Sequence, residues 1–108
     1  MRKITQQTVN AFFSGGNMVN NNTVVSGGCV YLHGNLIARK IDNTKIEICF
    51  CEWVTNTTCD RINAIVSTAT NGKIKVGIKK GLPELRHADG TITPISSGNW
   101  VKIDSLYF

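Results

Sequence analysis

Hydrophobic residues recur at helical spacing in two parts of this chain and in alternation over much of the rest. The helical stripes are formed by Val9, Phe12 and Phe13, and by Ile62, Ile65, Val66 and Ala69. Such spacing places apolar side chains on one face, and it predicts short helices over residues 5–14 and 58–69. A threonine hydroxyl can accept a hydrogen bond from a first-turn amide, so Thr5 and Thr57 are the expected caps.

Strand patterns occupy the remainder of the chain. The clearest covers residues 45–53, rich in β-branched and aromatic residues and apolar on both faces, which predicts a central strand. Trp53 is expected to close the core at its end. The other predicted strands cover residues 23–25, 29–32, 36–39, 73–79, 85–87, 91–95 and 100–103. Hairpin-linked strands with helices packed to one side predict one α+β domain over residues 1–108, with a mostly antiparallel sheet.

Composition narrows the class of protein. With 108 residues, 42% hydrophobic and 18% charged, the chain fits a single globular domain. No segment approaches the roughly 20 apolar residues of a membrane span, and no export signal follows the first residues, so we expect a cytoplasmic protein without membrane contact. The net charge of +5 permits an anionic partner but does not by itself indicate one.

Cys59 invites two interpretations. A thiol at the start of a helix can be a nucleophile because its pKa is lowered there. Cys59 also lies three residues before Ile62, on the apolar stripe, where a cysteine acts as a small buried residue. Neither histidine is placed beside it by the pattern, so the structural interpretation is favoured and no catalytic residue is assigned.

The four cysteines do not match a metal site. Cys49 and Cys51 lie in a predicted strand, whereas structural zinc sites pair cysteines on a knuckle, usually two to four residues apart. We therefore expect no metal and no other cofactor, and an enzyme is the least supported class.

A run of basic residues is the best candidate binding surface. The residues are Lys73, Lys75, Lys79, Lys80 and Arg86. The first three alternate along one predicted strand and share a face, which suits an anionic partner. The alternative is an edge strand that its lysines protect from aberrant pairing.

Arg61 and Asn63 lie off the apolar stripe of the second helix. Arg61 is expected to pair with Asp60 or Glu52 in a solvated position, or to face a partner. Asn63 can bond a neighbouring backbone group, or belong to the same partner surface. Both interpretations place Arg61 at the surface.

Four segments resemble small proteins encoded by tailed bacteriophages. They are Asn22-Thr23-x-Val25, Leu32-His33-Gly34-Asn35-Leu36-Ile37-Ala38, Trp53-x-Thr55-x-Thr57-Thr58-x-Asp60-Arg61-Ile62-Asn63 and Gly98-x-Trp100-Val101. The resemblance covers about two thirds of the chain. Glu52 stands where glycine is expected and Ile62 where leucine is usual. The resemblance implies a phage origin and carries no activity over to particular residues. Together with the expected cytoplasmic location, a phage origin predicts that the protein lies in the host cytoplasm.

Three functions remain open at this stage. The first is a stoichiometric inhibitor that binds a bacterial host protein or complex in host takeover or counter-defence, in the manner of an anti-CRISPR protein. The second is a nucleic-acid-binding accessory protein that uses the basic face. The third is an oligomer that sequesters a nucleotide signal, with Lys79, Lys80 and Arg86 as phosphate contacts. Exposed strand edges favour a homodimer, since symmetric pairs are the commonest assemblies.

Overall fold

A computed structural model describes residues 3–104, and the ends of the predicted domain, residues 1–2 and 105–108, lie outside that range. Within it are two helices, α1 (Lys3–Ser14) and α2 (Asn56–Ala69). The strands are β1 (Met18–Asn20), β2 (Thr23–Ser26), β3 (Cys29–Leu32), β4 (Asn35–Asp42), β5 (Lys45–Ile48), β6 (Ile74–Lys79), β7 (Leu82–His87), β8 (Ile92–Pro94) and β9 (Val101–Asp104).

The strands form two antiparallel sheets. The large sheet has the order β1-β2-β3-β4-β5-β9, and the small sheet has the order β6-β7-β8. This confirms the predicted α+β class with two short helices. In the described part of the chain, five strands precede α2, one more than the four that the sequence predicted, and the additional one is the short edge strand β1.

One face of the large sheet packs against the helices and forms the core. Its alternate residues, such as Val30 and Ile46, are fully buried with Phe12 of α1 and Ile62 and Ile65 of α2. This period-2 burial matches the alternation in the sequence, because successive side chains of a strand point to opposite faces.

The opposite face of the large sheet carries two cross-strand rows. Val19, Val24, Tyr31 and Leu36 lie opposite one another across β1 to β4. In the next row the Arg39 guanidinium contacts the Glu47 carboxylate at 2.8 Å. It also lies 4.1 Å from the centre of the Trp100 ring. This face therefore combines an apolar row with a row that contains an ion pair.

The predicted strand over residues 45–53 is too long. β5 ends at Ile48, and Cys51 and Glu52 adopt φ angles of +50° and +67°, in the left-handed region that no strand uses. The turn leaves the side chain of Trp53 57% exposed, so the expectation that it closes the core is wrong.

The caps of both helices also differ from the prediction. Thr55, not Thr57, caps α2: its backbone is extended and its hydroxyl accepts a hydrogen bond from the Thr58 amide at 3.2 Å. Thr5 lies inside α1, because that helix begins at Lys3, and Thr5 is fully buried. The hydroxyl predicted as a cap is instead part of the contact between the two helices.

That contact is built around Arg61, which is only 2% exposed. Its Nη1 donates to the Asp60 carboxylate at 2.6 Å and to the Thr5 hydroxyl at 2.7 Å. Its Nε donates to the Thr23 hydroxyl at 3.4 Å, and the Thr5 hydroxyl donates to Asp60 at 2.6 Å. The surface position expected for Arg61 is therefore wrong: the residue joins α2 to α1 and β2. The expected pairing of Arg61 with Asp60 is present.

Replacing Asp60 with alanine should lower the free energy of unfolding by about 3 kcal/mol, because it leaves the buried Arg61 charge without its counter-ion. Urea denaturation followed by far-UV circular dichroism measures this change. Asp104, an exposed residue at the end of β9, gives the matched control, and Asp104→Ala should stay within about 0.5 kcal/mol of the wild type. A loss below about 1 kcal/mol for Asp60→Ala would contradict the role given to the ion pair.

Candidate functional site

The predicted basic residues all lie at the surface, on and around the small sheet. Lys75 and Lys79 point to the same side of β6, and Arg86 lies directly opposite Lys75 on β7. Lys73 precedes β6 and Lys80 lies in the turn after it, so both flank this side. The structure therefore brings the five residues together around one sheet face, which we call the outer face of the small sheet.

The charge of the outer face is partly compensated. The Arg86 side chain bonds the Glu84 carboxylate at 2.8 Å. Its guanidinium lies across Gly77, where a Cβ would collide with it. Glycine between the two lysines thus makes room for an arginine that crosses from the neighbouring strand. The face combines cations with one acid and is not uniformly basic.

The outer face also carries exposed apolar side chains that the sequence analysis did not predict. Leu82 is 69% exposed and Ile92 is 49% exposed. Leu82 lies opposite Lys79, and Ile92 lies opposite Arg86. The signal in the sequence is the alternation of Leu82, Glu84 and Arg86, which becomes informative only once the register with β6 is known. The predicted strand over residues 85–87 leaves Leu82 out, whereas β7 in fact begins at Leu82.

Asn63 and Cys59 cover the free edge of β6. The Asn63 side-chain oxygen accepts a hydrogen bond from the Val76 amide at 2.8 Å. The Cys59 thiol lies 3.6 Å from the Val76 carbonyl oxygen. The two residues are one helical turn apart, so α2 satisfies both backbone groups of Val76. Asn63 therefore makes the bond to a neighbouring backbone group that was one of its two expected roles.

The surroundings of Cys59 do not suit a nucleophile. Burial raises the pKa of its thiol, and this outweighs the opposing field of Arg86. Within residues 3–104 the histidines are engaged elsewhere, His33 with Asn22 and His87 with Thr93. A raised pKa keeps the thiol protonated near neutral pH, whereas catalysis needs the thiolate.

Between residues 3 and 104, no group of three or more histidine, cysteine or acidic residues is arranged to hold a metal ion. Neither helix in this range has the length and apolar character required to cross a membrane.

A pocket of about 230 Å³ opens beside the first turn of α2. Its lining residues come from the turn between β3 and β4 and from the segment that enters α2. They are Leu32, His33, Asn35, Ile37, Trp53, Thr55, Thr57 and Thr58. Leu32, Ile37 and Thr58 are buried, whereas His33, Trp53 and Thr55 are exposed at the mouth. The pocket thus has a largely apolar floor and a polar rim, and no lysine, arginine or carboxylate lines it.

The segment before Trp53 is fixed from both sides. The Glu52 amide donates to the Ser97 carbonyl at 2.9 Å, and the Ser97 hydroxyl bonds the Glu52 carboxylate at 3.1 Å. The Cys51 thiol donates to the Leu36 carbonyl at 2.9 Å. A Cβ at Gly98 would collide with the Glu52 carboxylate, so glycine is required for this approach. These contacts hold two residues in left-handed conformations and set the position of Trp53.

Both segments that line the pocket are among those that resemble phage proteins, but the sequence did not indicate that the two meet in the fold. One segment runs from Leu32 to Ile37, and the other from Trp53 to Thr58. They are separated by most of β4 and by β5, so only the folded chain shows that they meet.

Native Cys51 should react with iodoacetamide at pH 8 at roughly one hundredth of its rate in the unfolded chain. Burial, followed by the neighbouring Cys49 and Glu52, raises its pKa from 9.0 to about 11, which leaves far less thiolate. The rate should rise with pH up to about 11, and Cys59 should also be slowed in the native protein. Mass spectrometry of digested samples measures each cysteine, with urea-unfolded protein as the control. Faster labelling of Cys59 in the native state would restore the nucleophile hypothesis.

Comparison with known proteins places this chain in a phage family. No curated protein and no solved structure matches the chain. A sequence model of the family described as Kyanoviridae Gp96 protein matches residues 1–102. Because the match spans nearly the whole chain and all residues of both surfaces, it confirms the resemblance to small phage proteins. The chain belongs to the Kyanoviridae Gp96 protein family, a family of bacteriophage proteins.

Proposed function

We propose that this phage protein is a stoichiometric inhibitor that binds a host protein or complex, in host takeover or in counter-defence. It acts by contact, as an anti-CRISPR protein does, in the host cytoplasm. The observation that carries the proposal is the outer face of the small sheet, where exposed Leu82 and Ile92 lie among Lys75, Lys79 and Arg86. Exposed aliphatic residues surrounded by charge are typical of an interface with a protein.

The chemistry of the outer face favours an acidic partner surface. Lys75 and Lys79 stand at the periphery, where charge accelerates association and selects partners of opposite sign. Leu82 and Ile92 supply apolar area that is lost from water on contact. Arg86, held by Glu84, is a preorganised donor, and arginine is enriched in the residues that carry binding energy.

The nucleic-acid alternative has weaker support on this face. A sequence-tolerant single-strand platform combines cations with aromatic rings on which bases stack. The residues that share the outer face on β6, β7 and β8 include no aromatic side chain. Glu84 also places a carboxylate where a phosphate backbone would pass. The five cations still make this the alternative to test, together with a nucleotide signal held by Lys79, Lys80 and Arg86.

The variant Leu82→Ser with Ile92→Ser should lose at least tenfold in affinity for the host partner, because each removes apolar contact area. The tagged chain is used to capture proteins from nuclease-treated lysates of host strains that carry defence systems. Retention of the same partner is then compared between wild type and variant by quantitative mass spectrometry. Lys102→Glu, an exposed charge reversal on β9 of the large sheet, is the control and should retain the partner.

Three results would count against the proposal. The first is equal retention by the serine variant, and the second is the absence of any partner across strains. The third is a gel shift with nucleic acid that weakens steeply with salt and is abolished by Lys75→Glu with Lys79→Glu, yet is unaffected by the serine changes. A thermal shift with a nucleotide would instead support the sequestering oligomer.

A further inference from the structure

We infer that the pocket beside α2 binds the side chain of a single tyrosine presented by the partner protein. This inference rests on the proposed function and adds a second contact point, distinct from the outer face of the small sheet. Three features support the inference: the volume of the pocket, the residues that line it, and the fixed position of Trp53 at the pocket mouth.

The volume of the pocket suits a single aromatic side chain. Sites that bury drug-sized ligands enclose roughly 300–1,000 Å³. The volume here, about 230 Å³, lies below that range. Interfaces commonly place one anchoring aromatic side chain in a pocket of this kind, ringed by contacts that exclude water.

The lining selects an aromatic ring with a polar end. Leu32 and Ile37 give the floor an apolar surface, and the indole of Trp53 adds an aromatic surface at the mouth. Aromatic pairs contribute more than the area they bury. In the described part of the chain, the side chains of Asn35 and Thr57 make no hydrogen bond, and both line the pocket. A phenol hydroxyl that reaches this rim can donate to one of them and accept from the other.

The absence of lysine and arginine from the pocket lining favours a protein side chain over a nucleotide as the ligand. No lysine or arginine lines the pocket, so a phosphate attached to a bound base would meet no cation there. An uncharged phenol presented by a polypeptide carries no such phosphate.

The pocket is formed before any ligand binds. The left-handed conformations of Cys51 and Glu52 each cost about 1–3 kcal/mol, and such conformations persist only where surrounding contacts fix them. The bonds from Glu52 to Ser97 and from Cys51 to Leu36 supply those contacts. The result is a large exposed indole held at a pocket mouth, with little ordering left to occur on binding.

The experiment uses the purified full chain and N-acetyl-L-tyrosinamide as the probe, followed by the ¹⁵N–¹H signals of the two indoles. The Trp53 signal should shift and saturate with a Kd of about 1 mM, as expected for a ligand of this size. Trp100, under the Arg39 guanidinium, is the internal control and should not move. N-acetyl-L-phenylalaninamide should bind several-fold more weakly, and N-acetyl-L-leucinamide and adenosine more weakly still.

Two variants test the roles within the pocket. Trp53→Leu, at an exposed position, should weaken probe binding at least tenfold while preserving the fold, as read from backbone signals of Asn35 and Thr57. Thr57→Val combined with Asn35→Ala should bring the tyrosine probe to the affinity of the phenylalanine probe and leave the latter unchanged. A preference for tyrosine that survives this double change would overturn the assignment of the hydroxyl.

Other outcomes overturn the inference as a whole. These are no saturable Trp53 shift at about ten times the expected Kd, equal shifts of both indoles, or tighter binding of adenosine than of the tyrosine probe. Full partner retention by Trp53→Leu in the capture experiment would overturn the protein source of the ring. Because the probe assay needs no host partner, it can fail while the outer-face contact holds, and it can succeed where capture fails.

Discussion

The structure depends first on a buried cation. Arg61 lies among α1, α2 and β2, and a charge taken out of water is tolerated only if it is paired and fully hydrogen-bonded. Asp60 supplies the opposite charge, and Thr5 and Thr23 supply hydroxyls from two other elements. Each of these partners must stand in one place for the guanidinium to be satisfied. The ion pair therefore constrains how α1, α2 and the large sheet lie against one another.

Different sides of α2, the helix that carries Arg61, contact the core, the small sheet and the pocket. Ile62 and Ile65 face the core, while Asn63 and Cys59 reach the edge of β6 and attach the small sheet. Thr55 and Thr58 close the helix start and also line the pocket. A displacement of α2 would therefore disturb the core, the small sheet and the pocket together.

The sequence predicted what local pattern can determine. The apolar stripe of α2 and the alternation of the strands follow from nearest-neighbour spacing, and both are present. The burial of Arg61 does not follow from spacing, because it depends on Thr5 and Thr23, which are distant in sequence. The cap was misassigned because three threonines near the helix start have the same chemistry and only backbone geometry distinguishes Thr55.

The turn before Trp53 was hidden for a related reason. Residues 45–53 are all compatible with a strand, and only Glu52, standing where glycine was expected, departed from the family pattern. Its φ of +67° explains that expectation, since glycine adopts this conformation without strain. In this chain the bonds from Glu52 to Ser97 hold a glutamate there instead. The departure thus marked the turn that follows β5 and leads to the pocket.

The two candidate surfaces differ in the distance over which they act. On the proposed function, the lysines of the outer face would attract an acidic partner before contact, and salt would screen that attraction beyond a Debye length of about 8 Å. No lysine, arginine or carboxylate lines the pocket, so on the further inference it would act after contact and depend less on salt. Long-range charge mainly sets how fast partners meet, whereas a buried anchor mainly sets how long they stay. One turn of α2 contributes Thr58 to the pocket and Cys59 to the edge of the small sheet, so a single helix joins the two candidate surfaces.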